Sequence, residues 1–563
     1  MDDSTTSDAN SLNRNSLGEK EKREGEKDGI PVPSNDSSSE QPTELQEIPE
    51  VLTGYPLVML IAAISLAGFL YSLDVTIIVT AVPVITTHFH RIQDIGWYGS
   101  AYLITLCAIA PLTGKLYQFY NSKITFFTFV VIFEIGSLIC GVAPTSTALI
   151  VGRAVAGIGG AGIFSGGFTI VATSAPKEKR TQLVAFIYAF AMLGSIISPI
   201  IGGVLTEKAS WRWCFYINLP AGAVTLVLIA FIRIPEAKAK RENRPTLYES
   251  VHRLDPIGFA LFAPFCIMVL LPLQWGGSTY SWNSSIIIGL FVGAAACLAV
   301  FIFWESRRGD TAMVPLSILC RRVIYSSCLV VAAQYGSLSI FAYYLPVWFQ
   351  TILGVSPIKS GVYFMATAAT VITVTFMTGI IAGKLGTPTI FVLVGNLITT
   401  VGGGLMSTFN TSTRTGAWVG YQILTGFGRG MTLQQPINAA QHALDPSTMA
   451  VGTSLVIFCQ YFGGAVFLAL AETDFSSSLR SALREYAAGV DSALIFEVGA
   501  SGVRAAVTSE QLPGVLKAYN EAITNTFYLA CAASAAAFLA AWGMGLKSIK
   551  KKKEPTADTT EEA

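Results

Sequence analysis

The chain is 563 residues long, 52% hydrophobic and only 13% charged, with a net charge of +1 and a mean hydropathy of +0.54. A soluble domain carries roughly 25% charged residues, so most of this exterior must meet lipid. The near-neutral balance gives no basic face for nucleic acid, and nine scattered Cys without a CxxC pair argue against a disulfide framework or a metal site.

Residues 1–50 are rich in Ser, Asp, Glu, Lys and Asn and predict a disordered cytoplasmic tail. No cleavable leader pattern precedes the first apolar run, which is expected to act as its own insertion signal. A bilayer core needs about 20 apolar residues in a helix. Runs of that kind lie near 56–80, 97–116, 124–142, 148–172, 183–205 and 215–233. After a basic cytoplasmic loop at 234–255, two follow near 256–273 and 285–304. The last six lie near 323–346, 361–383, 389–408, 416–438, 449–471 and 524–546. The expected fold is all-α and polytopic, with fourteen spans grouped six, two, six. A six-helix lobe fills 55–233, an inserted pair 256–304, and a second lobe 323–546 with a long outer loop at 472–523; a cytoplasmic tail occupies 547–563.

With the N-terminus inside, and leaving the N-terminal tail uncounted, twenty-one Lys and Arg fall on the cytoplasmic side of the spans and nine on the outer side. That bias follows the positive-inside rule and places both termini in the cytoplasm. The sequons at Asn283 and Asn410 then lie in outer loops and are expected to be glycosylated, whereas Asn35 lies in the tail and is expected to stay unmodified.

An ionisable side chain at membrane depth is costly and points to function. Asp74 falls in the first span within Leu73-Asp74-Val75-Thr76-Ile77, where a carboxyl can load and release a proton as its surroundings alternate between wet and dry. The bland alternative is an Asp at the outer end of its helix. Arg153, in the fourth span, cannot shed its charge and needs a carboxylate, a carbonyl or water; a snorkelling helix-end Arg is its alternative. Glu134 and Arg429 are further candidates, while Glu472 and Asp474 read as an outer helix end. His88 and His90 form the only close His pair, with no nearby carboxylate or Cys array, and read as structural. Gly157-Ile158-Gly159-Gly160-Ala161-Gly162 matches GxGxxG but lies inside an apolar helix, so it predicts close helix packing instead of a nucleotide site. Neither Gly-Lys pair has the upstream Gly of a P-loop, so an ion or substrate gradient is the expected energy source and no cofactor is expected. In the fifth span, Gly194-Ser195-Ile196-Ile197-Ser198-Pro199-Ile200-Ile201-Gly202-Gly203 predicts a bent, closely packed helix.

Together these segments resemble the major facilitator superfamily, and within it the fourteen-span drug:proton antiporters, in particular fungal toxin and multidrug efflux transporters. The Asp74 segment is similar to that branch's first-helix motif, Gly152-Arg153 through Ala161 to its fourth-helix motif, and Gly194 to Gly203 to its antiporter motif, with Ser198 in place of Gly before Pro199. Trp211-Arg212-Trp213-Cys214-Phe215-Tyr216-Ile217-Asn218-Leu219-Pro220 resembles the family's start of the sixth helix, and Leu254-Asp255-Pro256-Ile257-Gly258 and Leu273-Gln274-Trp275-Gly276-Gly277 resemble the fungal members. The loop after the second span departs from the pattern: Gln118 replaces an Asp and Asn121 a Gly, which puts an ion-pair gate there in doubt.

The resemblance implies two pseudo-symmetric lobes with a midplane substrate site between them, and alternating access by rocking. It implies a proton-coupled exporter of small amphipathic organic molecules at the plasma membrane, or alternatively the vacuolar membrane, with Asp74 and Arg153 coupling to protons. Weaker candidates for substrate contact are Gln334, Tyr335, Tyr343, Gln422, Arg429, Gln434 and Asn438. Siderophore or basic amino acid transport on the same fold is one alternative. A non-transporting membrane sensor is another, and an enzyme is not expected.

Overall fold

The computed structural model describes residues 51–546 apart from 92–93, 236–248, 250–252 and 278–279. The two predicted tails, the Asn35 sequon and most of the basic loop at 234–255 lie outside the described residues. Helices dominate, because a chain passing through hydrocarbon must satisfy its backbone within each segment. The first lobe comprises α1 (Tyr55–Phe89), α2 (Ile95–Phe119), α3 (Ser122–Val142), α4 (Ser146–Ser174), α5 (Lys177–Lys208) and α6 (Asn218–Phe231), the last preceded by a single turn at Trp213–Tyr216. The inserted pair is α7 (Pro256–Trp275) and α8 (Ser285–Arg308). The second lobe holds α9 (Arg322–Thr351), α10 (Pro357–Leu385), α11 (Pro388–Met406), α12 (Thr415–Thr432), α13 (Met449–Tyr486) and α14 (Leu512–Ala541).

Among the described residues, thirteen helices are long and apolar enough to cross a membrane. The remaining predicted span, 416–438, is α12 followed after a break by a short helix, Gln435–His442. Its hydropathy is lowered by side chains that face protein, with Gln422, Thr425, Arg429 and Gln434 all buried. The long outer loop expected at 472–523 is largely helical: α13 runs on to Tyr486, a further helix spans Ser492–Ala506, and α14 begins at Leu512. Hydropathy marks only the lipid-compatible part of a helix, and these extensions carry Glu, Asp, Ser and Arg.

The lobes repeat one packing scheme. α1 packs on α5, and α4 on α2 and α3; correspondingly α9 packs on α13, and α12 on α10 and α11. The lobes join through α5 against α10 and α2 against α13, and α7 of the inserted pair rests on α2 and α13. α4 is the most enclosed span, its apolar window 83% buried, whereas that of α8 is 17% buried. The glycines of α4 explain this: a side chain at Gly157 would strike the Tyr102 carbonyl of α2, and one at Gly159 the backbone of Phe133 in α3. Small residues at those two positions let three helices approach backbone to backbone.

The lobes close on the predicted cytoplasmic side. Gly114 near the end of α2 abuts Val451 and Ser454 at the start of α13, Gly379 of α10 abuts Ala185 of α5, and Gln441 donates its amide to the Phe168 carbonyl at 3.4 Å. Asn121, which stands where the family pattern has Gly, caps α3 by accepting from the Ile124 amide at 2.9 Å.

Candidate proton-coupling and substrate site

Asp74 is not a helix end, since α1 continues past it to Phe89. Its carboxylate is buried between three helices. Arg153 of α4 donates from Nη1 to Oδ2 at 2.6 Å, and Asn218 of α6 donates from Nδ2 to Oδ1 at 3.1 Å. The same Asn218 nitrogen also reaches Ser137 Oγ of α3 at 3.1 Å. Arg153 spends its Nε on the Tyr98 carbonyl at 3.0 Å and lies 4.5 Å from the Tyr102 ring centroid. A buried ion pair with further hydrogen bonds on both partners is the arrangement that offsets desolvation.

α5 holds α1 in place beside this pair. Ser198 donates to the Leu73 carbonyl at 3.1 Å, one residue before Asp74. Side chains at Gly194 and Gly202 would collide with Phe69 and Ile77 of α1, whereas Gly203 faces open space and Pro199 is exposed.

Tyr102 connects the ion pair to the lobe interface. Its ring lies 6.2 Å from Tyr71, which packs 5.1 Å from Phe164 and, across the interface, 6.1 Å from Tyr461 of α13. Tyr335 of α9 lies 6.0 Å from Tyr461, and its hydroxyl meets the Tyr188 hydroxyl of α5. The centre is thus built mainly of tyrosines, and the Tyr102 hydroxyl has no partner among the described residues. Of this cluster only Tyr335 was among the candidates from sequence; Tyr71, Tyr102, Tyr188 and Tyr461 were not. Between α5 and α10 an apolar cleft of about 390 Å³ is lined by Phe186, Phe190, Leu193, Ile372, Phe376 and Met377.

The sequence and the fold match known proteins. The Major Facilitator Superfamily profile fits residues 64–468. The chain belongs to the Major Facilitator Superfamily. It is 47% identical over 504 residues to the MFS-type transporter pigP of Monascus ruber, covering 90% of this chain and 88% of that one. It is 43% identical over 540 residues to the efflux pump mlcE of Penicillium citrinum, covering 94% and 98%. Among solved structures, the proton:xylose symporter XylE shares the fold at a TM-score of 0.59 and 14% identity, over 86% of this chain and 95% of that one. The human organic anion transporter MFSD10 gives 0.54 and 15%, over 86% and 100%.

The other candidates of this superfamily member are placed as follows. Arg429 lies in the last turn of α12, and its partners are Ser337, at 3.2 Å from both the carbonyl and the hydroxyl, and the Phe341 ring at 4.9 Å. Gln334 donates to Asn396 at 3.2 Å, Gln422 accepts from Thr367 at 3.0 Å, Gln434 reaches the Thr375 carbonyl at 3.5 Å, and Asn438 donates to Gln435 at 3.3 Å. These four amides bond to partners within the second lobe. Tyr343 lines a small cavity with Tyr344, Phe475 and Glu472. Glu472 lies inside α13, not at a helix end, and accepts from the Tyr344 hydroxyl at 3.3 Å. His88 packs on Trp211, and His90 closes α1 in a left-handed conformation, φ 52°. Asn410 is exposed and accepts from Ser412 Oγ at 2.8 Å, and Asn283 is exposed just before α8.

Proposed function

We propose that this transporter is a proton-driven exporter of small amphipathic organic molecules, operating in the plasma membrane. One observation carries the reading: a continuous path of contacts runs from the Asp74–Arg153 pair through Tyr102 and Tyr71 to Tyr461 of the other lobe. Neutralising Asp74 releases Arg153 from its partner, and Arg153 rests on Tyr102, whose neighbour Tyr71 meets the other lobe. A change in protonation therefore acts on the surface where the lobes must separate.

Tyr71, Tyr188, Tyr335 and Tyr461 at the lobe interface suit neutral or weakly charged aromatic molecules that stack and accept hydrogen bonds. The cleft between α5 and α10 gives such molecules a lateral route from lipid. Export is the named role of mlcE and is transferred here on its 43% identity over 94% of this chain. Movement of one charge across 100 mV supplies about 2.3 kcal/mol, or somewhat under a fiftyfold concentration ratio.

The test is accumulation of a panel of labelled hydrophobic drugs and toxins in cells expressing wild type, Asp74→Asn or empty vector. Export predicts lower accumulation with wild type, reversed by a protonophore and by Asp74→Asn at equal surface expression. Lower accumulation that survives both treatments removes the proton coupling, and no difference for any compound removes export.

A further inference from the structure

α3 carries a second carboxyl close to the ion pair. Glu134 lies one turn before Ser137, whose hydroxyl meets the Asn218 amide that also serves Asp74. Both carboxyl oxygens of Glu134 are buried, and neither has a hydrogen-bond partner among the described residues. α6 passes this group at Gly222, where any side chain would overlap the carboxyl. The two helices are therefore fitted around Glu134 in its present position.

The charged groups on the elements packed around α3 are committed elsewhere. Arg153, the one charged residue of α4, is bound to Asp74 and the Tyr98 carbonyl. Arg212, beside the turn Trp213–Tyr216, donates to the Gly141 carbonyl at 2.8 Å, and Lys123 at the base of α3 donates to the Ala230 carbonyl at 2.7 Å. On α2, Lys115 is turned toward the Asp310 carbonyl at 3.5 Å, and Tyr98 and Tyr102 serve Arg153. α6 itself has no charged residue. Among the described residues no cation pairs with a Glu134 carboxylate, and a buried carboxyl with neither cation nor donor is tolerated in its neutral form.

We propose that Glu134 is a second proton-binding group of this transporter and holds the proton while Asp74 is paired with Arg153. Release breaks the Glu134 O–H bond and passes the proton to water admitted where α3 and α6 part at Gly222; reloading takes a proton from water at the opposite face. The proposal extends the proton-coupled reading above, but its test needs no transported substrate.

The measurement is infrared difference spectroscopy of the purified full chain in lipid nanodiscs, following the C=O stretch of protonated carboxyls in water and in deuterium oxide. Wild type at neutral pH is expected to show a band that shifts in deuterium oxide, is lost in Glu134→Gln and persists in Asp74→Asn. Glu134→Gln mimics the neutral group in shape and is expected to fold as wild type. As an independent check, Gly222→Ala, which crowds the carboxyl, is expected to shift the same band. A spectrum unchanged by Glu134→Gln, or a band lost in Asp74→Asn alone, overturns the proposal. Failure of drug export in cells with the band intact would overturn the export reading and leave the proton site standing.

Discussion

Arg153 and Asp74 meet at 2.6 Å with side chains only 1% and 0% exposed. Breaking such a pair from one side leaves a buried charge without its partner, which typically costs about 3–5 kcal/mol. Asp74→Asn and Arg153→Met are each expected to lose stability of that order in unfolding of the purified protein. The double variant should lose much less than the sum, because neither charge is then stranded. Additive losses would show that the two residues are not energetically one unit.

Much of this was legible in the sequence, for identifiable reasons. The spans follow from bilayer thickness, so hydropathy located them, yet it missed the extensions of α13 and α14, where helix continues past the apolar run. Asp74 and Arg153 stood out because charges in apolar runs are rare. The tyrosines did not, because a Tyr in a membrane helix suits lipid, packing or an interface equally well. The amides of α9 and α12 drew attention for their polarity alone, and the structure turns Gln334 and Gln422 toward neighbours in their own lobe. Asn218 was visible in its motif, but only the folded chain brings α6 against Asp74.

Tyr102 offers a ring to Arg153 and to Tyr71, so its aromatic face should matter more than its hydroxyl. Tyr102→Phe is expected to keep protonophore-sensitive export close to wild type. Tyr102→Leu forfeits a desolvated cation–π contact worth up to about 2 kcal/mol and should reduce export severalfold at equal surface expression. Equal loss in both variants would assign the role to the hydroxyl.

The seam between α1 and α5 separates two adjacent glycines. Gly202→Ala drives a methyl into Thr80 and Ile77, whereas Gly203→Ala meets nothing within 4 Å. The first should lower thermal stability by about 1–3 kcal/mol and the second should stay within about 0.5 kcal/mol. Ser198→Gly restores the residue of the family pattern and removes one bond to the Leu73 carbonyl, a change of about 0.5–1.5 kcal/mol.

Asn410 is exposed beside its own sequon hydroxyl, on the face opposite the predicted cytoplasmic side. Expression in a glycosylating host is expected to give a mobility shift that a glycosidase removes and Asn410→Gln abolishes. A shift that depends instead on Asn35 would invert the orientation of the whole chain.

Asp255 sets the strength of the inserted pair. Its carboxylate accepts from Trp304 Nε1 at 2.9 Å and from the backbone amides of Gly258 and Met313 at 3.1 Å, with Arg308 Nε at 3.7 Å. The residue is fully buried and left-handed, φ 53°. Asn tolerates that conformation and keeps one acceptor, so Asp255→Asn isolates the loss of charge and of the second oxygen. Asp255→Ala strands all three donors, at about 1–3 kcal/mol for each group left unsatisfied, and adds backbone strain of about 1–2 kcal/mol. Thermal unfolding should therefore rank wild type above Asn and Asn above Ala. Equal loss in Asn and Ala would mean that the charge toward Arg308, and not the hydrogen-bonded turn, ties α7 to α8.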